Sequence, residues 1–188
     1  MRKLATAAAV LVLAGTGLAG TAGTAGAATG REAVATTCST VWGSGDKTAR
    51  DPSVKPLTNI RTGQQECFDR MVFDIGGPAG KTGYHVGYVD AFYQDGSGDE
   101  IPVGGGAILQ VYVSAPSYDP GTGKQTYAGR AGKPLPGVDV TGYRTFRDTR
   151  YGASFEGRTQ IGLGVRARLP FRVTQSGDHL IVDVAHTW

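Results

Sequence analysis

"CFDRMVFDIGG" (Cys67–Gly77) sets an aspartate near each end of a run that otherwise reads as a buried strand. Side chains on a strand alternate faces with period two, so Asp69 and Asp74, five residues apart, point to opposite sides of a sheet. A general acid/base pair needs both carboxylates in one cleft, which excludes these two as partners within one strand. They are expected to mark strand ends and to bond to nearby backbone or arginine. "DHLIVDV" (178–184) repeats the form of "DRMVFDI" (69–75): Asp, basic or His, three apolar positions, Asp, aliphatic. Seven residues do not make a repeat, but the echo predicts two strands with equivalent roles in one sheet.

Working outward, strand signals continue along the chain. "LTNIRT" and "CFDRMVFDI" flank "GQQE" as a hairpin. "YHVGYVDAFY" follows the "GGPAGKTG" turn, and "AILQVYVSA" sorts Leu109, Val111 and Val113 onto one face, Ile108, Gln110 and Tyr112 onto the other. "YRTFRDTRYGASFEGRTQIGLGV", "LPFRVTQ" and "HLIVDVAH" supply the rest. Segment 115–142, with Pro116, Pro120, Pro134 and Pro136, reads as loop, as does "CSTVWGSGDKTARDPSVKP". No window carries a sustained 3.6-residue period. The expectation is an all-β, antiparallel sandwich or barrel of about eight short strands.

The first residues fall outside that fold. A cationic Met1-Arg2-Lys3 precedes the uncharged run "LATAAAVLVLAG", and Ala25 and Ala27 stand at the −3 and −1 positions of a cleavage site. The expected division is a signal peptide over 1–27, a flexible arm over 28–37 and one folded domain over 38–188. In "GLAGT", Thr21 stands where a lipidated cysteine would be, so a released product without a membrane anchor is expected. Without Arg2 and Lys3, the 19 basic residues become 17 against 16 acidic ones. Charge is uneven: 28–123 holds 7 basic and 11 acidic residues, 124–188 holds 10 and 5. That asymmetry suits an anionic partner but falls short of a nucleic-acid footprint.

Cys38 and Cys67 are the two cysteines. An even count in an exported chain favours a disulfide over a free thiol, a metal site or a catalytic cysteine. Closing a loop of about 30 residues stabilises a fold by roughly 3–4 kcal/mol in the chain-entropy picture.

The ordered series "CSTVWGS", "PLTNIRTGQQECFDRMVFDI", "GYHVGYV", "DGSGDEIPVGGGAILQVYVS", "FEGRTQIGLGV", "PFRV" and "HLIVDVAH" resembles the AMIN-like domain proteins of actinobacteria, over roughly residues 38–186. Those are small secreted or lipid-anchored envelope proteins, related to the AMIN domains that accompany cell-wall amidases. The resemblance implies a non-catalytic, cell-wall-associated β-sandwich of the AMIN type, located outside the cell or on its wall; taken with the arginine-rich half of the chain, the expected ligand is peptidoglycan or an anionic wall polymer. No amidase domain is expected with it, and the family's pattern assigns no ligand-binding residue.

Other constellations are weaker. "DGSGDE" (Asp95, Ser97, Asp99, Glu100) lacks the glycine and distant glutamate of a calcium loop and reads as a hairpin. "VGGGA" (103–107) precedes no helix, so it marks a bulge or a close backbone approach rather than a phosphate cradle. His85, His179 and His186 lack metal-ligand spacing, and neither a metal nor a cofactor is expected. The arginines are the best binding candidates. Arg144, Arg147, Arg150, Arg166 and Arg168, with Arg158 and Arg172 nearby and Tyr143, Phe146 and Tyr151 interleaved, offer forked donors to carboxylate or phosphate. A solvated, salt-bridged sheet face is the plainer reading and outweighs a specific site. Two rival functions stand beside wall binding: a secreted protein-binding module (an inhibitor or secretion partner), favoured by an exposed apolar patch or a protruding 115–142 loop, and a small hydrolase, which needs Asp and His converging in one pocket.

Overall fold

A computed structural model describes residues 38, 41–51, 55–77 and 80–188. The segments expected to form a signal peptide (1–27) and a flexible arm (28–37) lie outside the described residues.

Among the described residues, nine strands form two wholly antiparallel sheets: β1 (Lys47–Ala49), β2 (Leu57–Gln64), β3 (Phe68–Ile75), β4 (Tyr84–Val89), β5 (Ala107–Val113), β6 (Phe146–Phe155), β7 (Arg158–Val165), β8 (Phe171–Ser176) and β9 (His179–Ala185). One sheet runs β1-β4-β5-β7-β6 and the other β2-β3-β9-β8. The count reaches nine because Lys47–Ala49, inside a stretch that reads as loop, pairs with Tyr84–Val86 as a short edge strand. Segment 115–142 carries no strand of its own, yet it is tied down: Tyr127 and Leu135 are buried in the core, and Tyr151 donates its backbone N–H to the Lys133 carbonyl along the β6 edge.

Alternation builds the core. Leu109, Val111 and Val113 of β5 and Ile161, Leu163 and Val165 of β7 face Met71, Phe73 and Ile75 of β3 and Leu180, Val182 and Val184 of β9. Fully burying a side chain such as Phe73 is worth about 1.5–3 kcal/mol. The hairpins use the backbone that their turns demand. Glu156 and Gly157, between β6 and β7, both take positive φ (47° and 76°), the signature of a two-residue type I′ turn whose twist matches the strands.

Asp69 and Asp74 lie on opposite faces of the four-stranded sheet, as strand parity requires. Asp69 points inward and is fully buried; Asp74 points outward to Arg61, Asn59 and His179. The two echoing segments are the neighbouring central strands β3 and β9.

Cys38 and Cys67 form a disulfide that ties the chain ahead of β1 to the start of β3. Trp42 follows it onto the outer face of the same sheet, edge-on to Phe68 with centroids 5.7 Å apart and beneath the Arg172 guanidinium at 4.4 Å.

The five-stranded sheet carries an extra layer. Segment 90–106 folds back over the outer face of β6 and β7, with Phe92 fully buried. Room for it comes from glycine: a Cβ on Gly162 would stand 2.9 Å from Phe92 and 3.0 Å from Val103, and one on Gly164 would fall on the Gly104 carbonyl oxygen. The "VGGGA" run is therefore a close backbone approach, and Gly106 donates its N–H to the Val165 carbonyl.

Candidate functional site

Where β1 ends, β4 begins and β5 ends, the five-stranded sheet opens into a cleft of about 580 Å³, lined by Thr48, Ala49, Arg50, Asp51, Tyr84, His85, Tyr112, Ser114 and Arg158. That volume suits a small ligand or one unit of a polymer. Local parity supplies the lining. On β5 Tyr112 alternates with core Val111 and Val113, Ser114 follows directly after the strand, and on β4 His85 alternates with core Val86.

The Arg158 side of the cleft is fixed from below. Gln160, 1% exposed, donates to the Tyr93 carbonyl (2.7 Å) and to the Tyr112 hydroxyl (3.1 Å), while its carbonyl accepts the Asp95 N–H (2.8 Å). One buried amide thereby holds the Tyr112 ring and the Asp95 turn in register. The Arg158 guanidinium lies 5.1 Å over the Tyr112 ring, and its Nη2 stands 3.6 Å from the Asp95 carboxylate. Burial pushes the Tyr112 phenol above its ordinary pKa; the Asp95 charge adds to that, and the Arg158 charge and the Gln160 bond oppose it. The phenol thus keeps its proton and remains a donor.

Across the cleft, His85 bonds through Nδ1 to Thr48 Oγ1 (2.8 Å) and places Nε2 3.7 Å from Asp46. Arg50 is exposed and makes no hydrogen bond or ion pair among the described residues. Donors to spare are found on the Arg50 guanidinium, the Tyr112 and Ser114 hydroxyls, and the part of the Arg158 fork that Asp95 does not take up.

Asp51, His85 and Ser114 line this cleft together, the convergence that a hydrolase requires. No hydrogen bond joins Ser114 to His85, whose Nδ1 is engaged by Thr48. A nucleophile and its base ordinarily stand about 2.6–3.2 Å apart, and His85 instead gives its Nδ1 to Thr48. Among the described residues no group of three or more His, Cys, Asp and Glu side chains is placed to hold a metal. The "DGSGDE" segment forms a turn closed by Gln94 and Asp99 backbone bonding, with Asp95 turned to Arg158.

The five arginines singled out from the sequence do not gather into one site. Arg144 donates to the Glu66 carbonyl, Arg147 to the Tyr143, Phe146 and Arg144 carbonyls, and Arg166 to the His186 carbonyl, all toward one end of the sandwich. Arg150 instead reaches the Pro102 carbonyl and Asp148. Arg168 lies over the Tyr88 ring beside a second, smaller hollow of about 380 Å³. Arg50, His85 and Tyr112 were not picked out from the sequence as a site. They come from segments far apart in the chain, and nothing local joins them.

With the sandwich and its strand order in view, the comparisons with known proteins decide the family. The AMIN-like domain family matches residues 55–186. The chain belongs to the AMIN-like domain family. No curated protein and no solved structure matches it. The match runs from just before β2 to just past β9 and takes in both sheets, so the AMIN-like domain here is the whole sandwich apart from β1. AMIN-like domains are cell-wall-associated modules found outside the cytoplasm. The Cys38–Cys67 disulfide of this AMIN-like chain fits an oxidising compartment.

Proposed function

We propose that this AMIN-like protein is a secreted, non-catalytic module that binds the cell wall, either peptidoglycan or an anionic polymer attached to it, through the β1–β4–β5 cleft. One observation carries the choice of surface: Arg50 makes no hydrogen bond or ion pair among the described residues, in a cleft where Tyr112, Ser114 and Arg158 also have donors to spare. Wall glycans and polymers are rich in acceptors and in carboxylate or phosphate, so a donor-rich cleft complements them. The arginines at the Arg144 end have already given donors to backbone carbonyls, which makes them the second choice.

Co-sedimentation of the purified, disulfide-bonded chain with insoluble sacculi tests this, before and after chemical removal of anionic polymers and across a salt series. Retention is expected, and it should fall when Arg50 and Arg158 are both changed to alanine. A fall produced by Arg144→Ala with Arg147→Ala instead would move the site to the arginine-rich end. No retention in any condition ends the wall-binding reading and brings a protein partner forward.

A further inference from the structure

The cleft is not uniformly cationic. Asp51 is part of its lining, and Asp95, on the turn of the added layer next to it, stands 3.6 Å from Arg158, too long for a tight bidentate pair but close enough to lower the local positive potential. Both side chains are partly solvated, at 25% exposure for Asp95 and 44% for Arg158, so the pair is weak and can be exchanged. The ring beneath Arg158 is not exchangeable in this way, because buried Gln160 holds its hydroxyl. The site therefore consists of a guanidinium on a fixed aromatic support, a loosely held carboxylate beside it, and a second guanidinium, Arg50, which makes no hydrogen bond or ion pair among the described residues and adjoins Asp51 in the same lining.

From this arrangement we infer that the cleft receives the acidic group of a saccharide, a carboxylate or a phosphate ester, between Arg50 and Arg158, and that Asp95 limits its affinity by competing for Arg158. The inference rests on the wall-binding reading for its choice of saccharide. An incoming oxyanion takes the fork that Asp95 holds at long range and gains the free Arg50 charge. The Tyr112 and Ser114 hydroxyls donate to ring or substituent oxygens. A neutral sugar gains only the hydroxyl contacts. The oxyanion, not the sugar ring, should therefore dominate recognition.

The test is an amide-resolved NMR titration of the full, oxidised chain with three probes: N-acetylmuramic acid, N-acetylglucosamine, which lacks the lactyl carboxylate, and glycerol 3-phosphate. N-acetylmuramic acid or glycerol 3-phosphate is expected to shift the amides of Tyr84, His85, Tyr112 and Ser114, and N-acetylglucosamine is not. Whichever of the two anions binds more tightly names the source, carboxylated sugar or phosphate polymer. Arg50→Ala should weaken the anion about tenfold, the size of one charge-assisted contact. Asp95→Asn should strengthen it several-fold, an effect opposite in sign to structural damage. Equal shifts from N-acetylglucosamine, no cleft shift from either anion, or unchanged affinity in Asp95→Asn would each overturn the inference. Sedimentation of the same variants keeps the two readings apart. Sacculi binding that survives Arg50→Ala while the titration is silent defeats the inference and leaves wall binding standing. A cleft that binds the anions in a chain that sacculi do not retain defeats wall binding alone.

Discussion

Arg70 grips Asp183 with both arms of its fork, Nε 2.7 Å from Oδ1 and Nη2 2.9 Å from Oδ2. The reciprocal pair on the same two strands is His179 with Asp74, Nδ1 to Oδ1 at 3.0 Å. In "DRMVFDI" and "DHLIVDV" the second position is basic and the sixth is Asp, and the antiparallel register sets each second position opposite the other strand's sixth: Arg70↔Asp183 and Asp74↔His179. The echo is thus a cross-strand pairing rule written twice.

The two pairs should differ in energy because their surroundings differ. Asp183 is fully buried and takes a second guanidinium, Arg172, at 2.9 Å. That arginine is itself stacked on Trp42 and near Phe68. Asp183→Ala leaves two close cations without their anion, and a loss of about 2–4 kcal/mol is expected, at the lower side of buried-pair values because both arginines keep some solvent. Asp74, exposed on its Arg61 side, should cost about 1 kcal/mol or less when changed to alanine. Urea unfolding of the two variants side by side checks this, and equal losses would defeat it.

Asp69, the other carboxylate of the β3 run, joins the sheets. Its Oδ2 accepts the backbone N–H groups of Thr145 (2.6 Å) and Phe146 (3.0 Å), where β6 begins in the opposite sheet. Nearby, Thr145 Oγ1 meets His186 Nδ1 at 2.9 Å, and His186 Nε2 lies 3.0 Å from the Gln65 carbonyl. Removing the carboxylate strands two buried N–H groups at about 1–3 kcal/mol each. Asp69→Ala should therefore cost roughly 3–5 kcal/mol, and Asp69→Asn, which keeps one acceptor oxygen, distinctly less. An alanine variant within about 1 kcal/mol of the parent chain would remove Asp69 from this role.

What could be read from the sequence followed from parity. Met71, Phe73 and Ile75 face one way and Asp74 the other because a two-residue period leaves no choice once one face is buried. The Cys38–Cys67 bridge was legible from the cysteine count, and the close approach at "VGGGA" from three consecutive residues without side chains. Strand β1 was not legible, because "KTA" has no apolar alternation and becomes a strand only by pairing with β4. The partners of the arginines were not legible for a similar reason. The ladder shifts register between Phe146 and Asp148, so Arg147 sits at an irregularity and turns back to local carbonyls. The cleft, assembled from residues near 50, 85, 112 and 158, has no local signature at all.

The layer over β6 and β7 can be lifted by a single methyl group. Gly164→Ala would place a Cβ on the Gly104 carbonyl, where backbone meets backbone and neither side can yield cheaply. Segment 90–106 should detach locally while the sandwich core, on the other face of the sheet, stays formed. Hydrogen exchange is expected to speed up at Ile101 and Gly106, whose N–H groups bond to the Phe92 and Val165 carbonyls, and to remain slow at Val111 and Val182. Global unfolding, with Val111 and Val182 exchanging as fast as Ile101, would contradict a separable layer.

Alkaline pH should unfold the protein through its buried tyrosines. Burial raises the pKa of Tyr127 and Tyr151, each 5% exposed, and Tyr127 is pushed up further by Tyr151 beside it. Tyr88 is raised by burial in the same direction. In the unfolded chain these phenols ionise near pH 10. Below that pH both states hold the proton and stability is unaffected. Above it the unfolded state releases protons that the folded state keeps, so stability falls by about 1.4 kcal/mol per pH unit for each tyrosine still protonated in the fold. Lys47, lowered by burial with Asp46 opposing, acts in the other direction as one half-buried group and does not reverse the trend. Urea midpoints should hold level to about pH 9.5 and drop steeply above pH 10. Tyr127→Phe gives up the hydroxyl bond to the Pro136 carbonyl (3.2 Å), a cost of about 1 kcal/mol at neutral pH, yet its decline above pH 10 should be shallower. If the two chains decline in parallel, Tyr127 is not among the groups responsible.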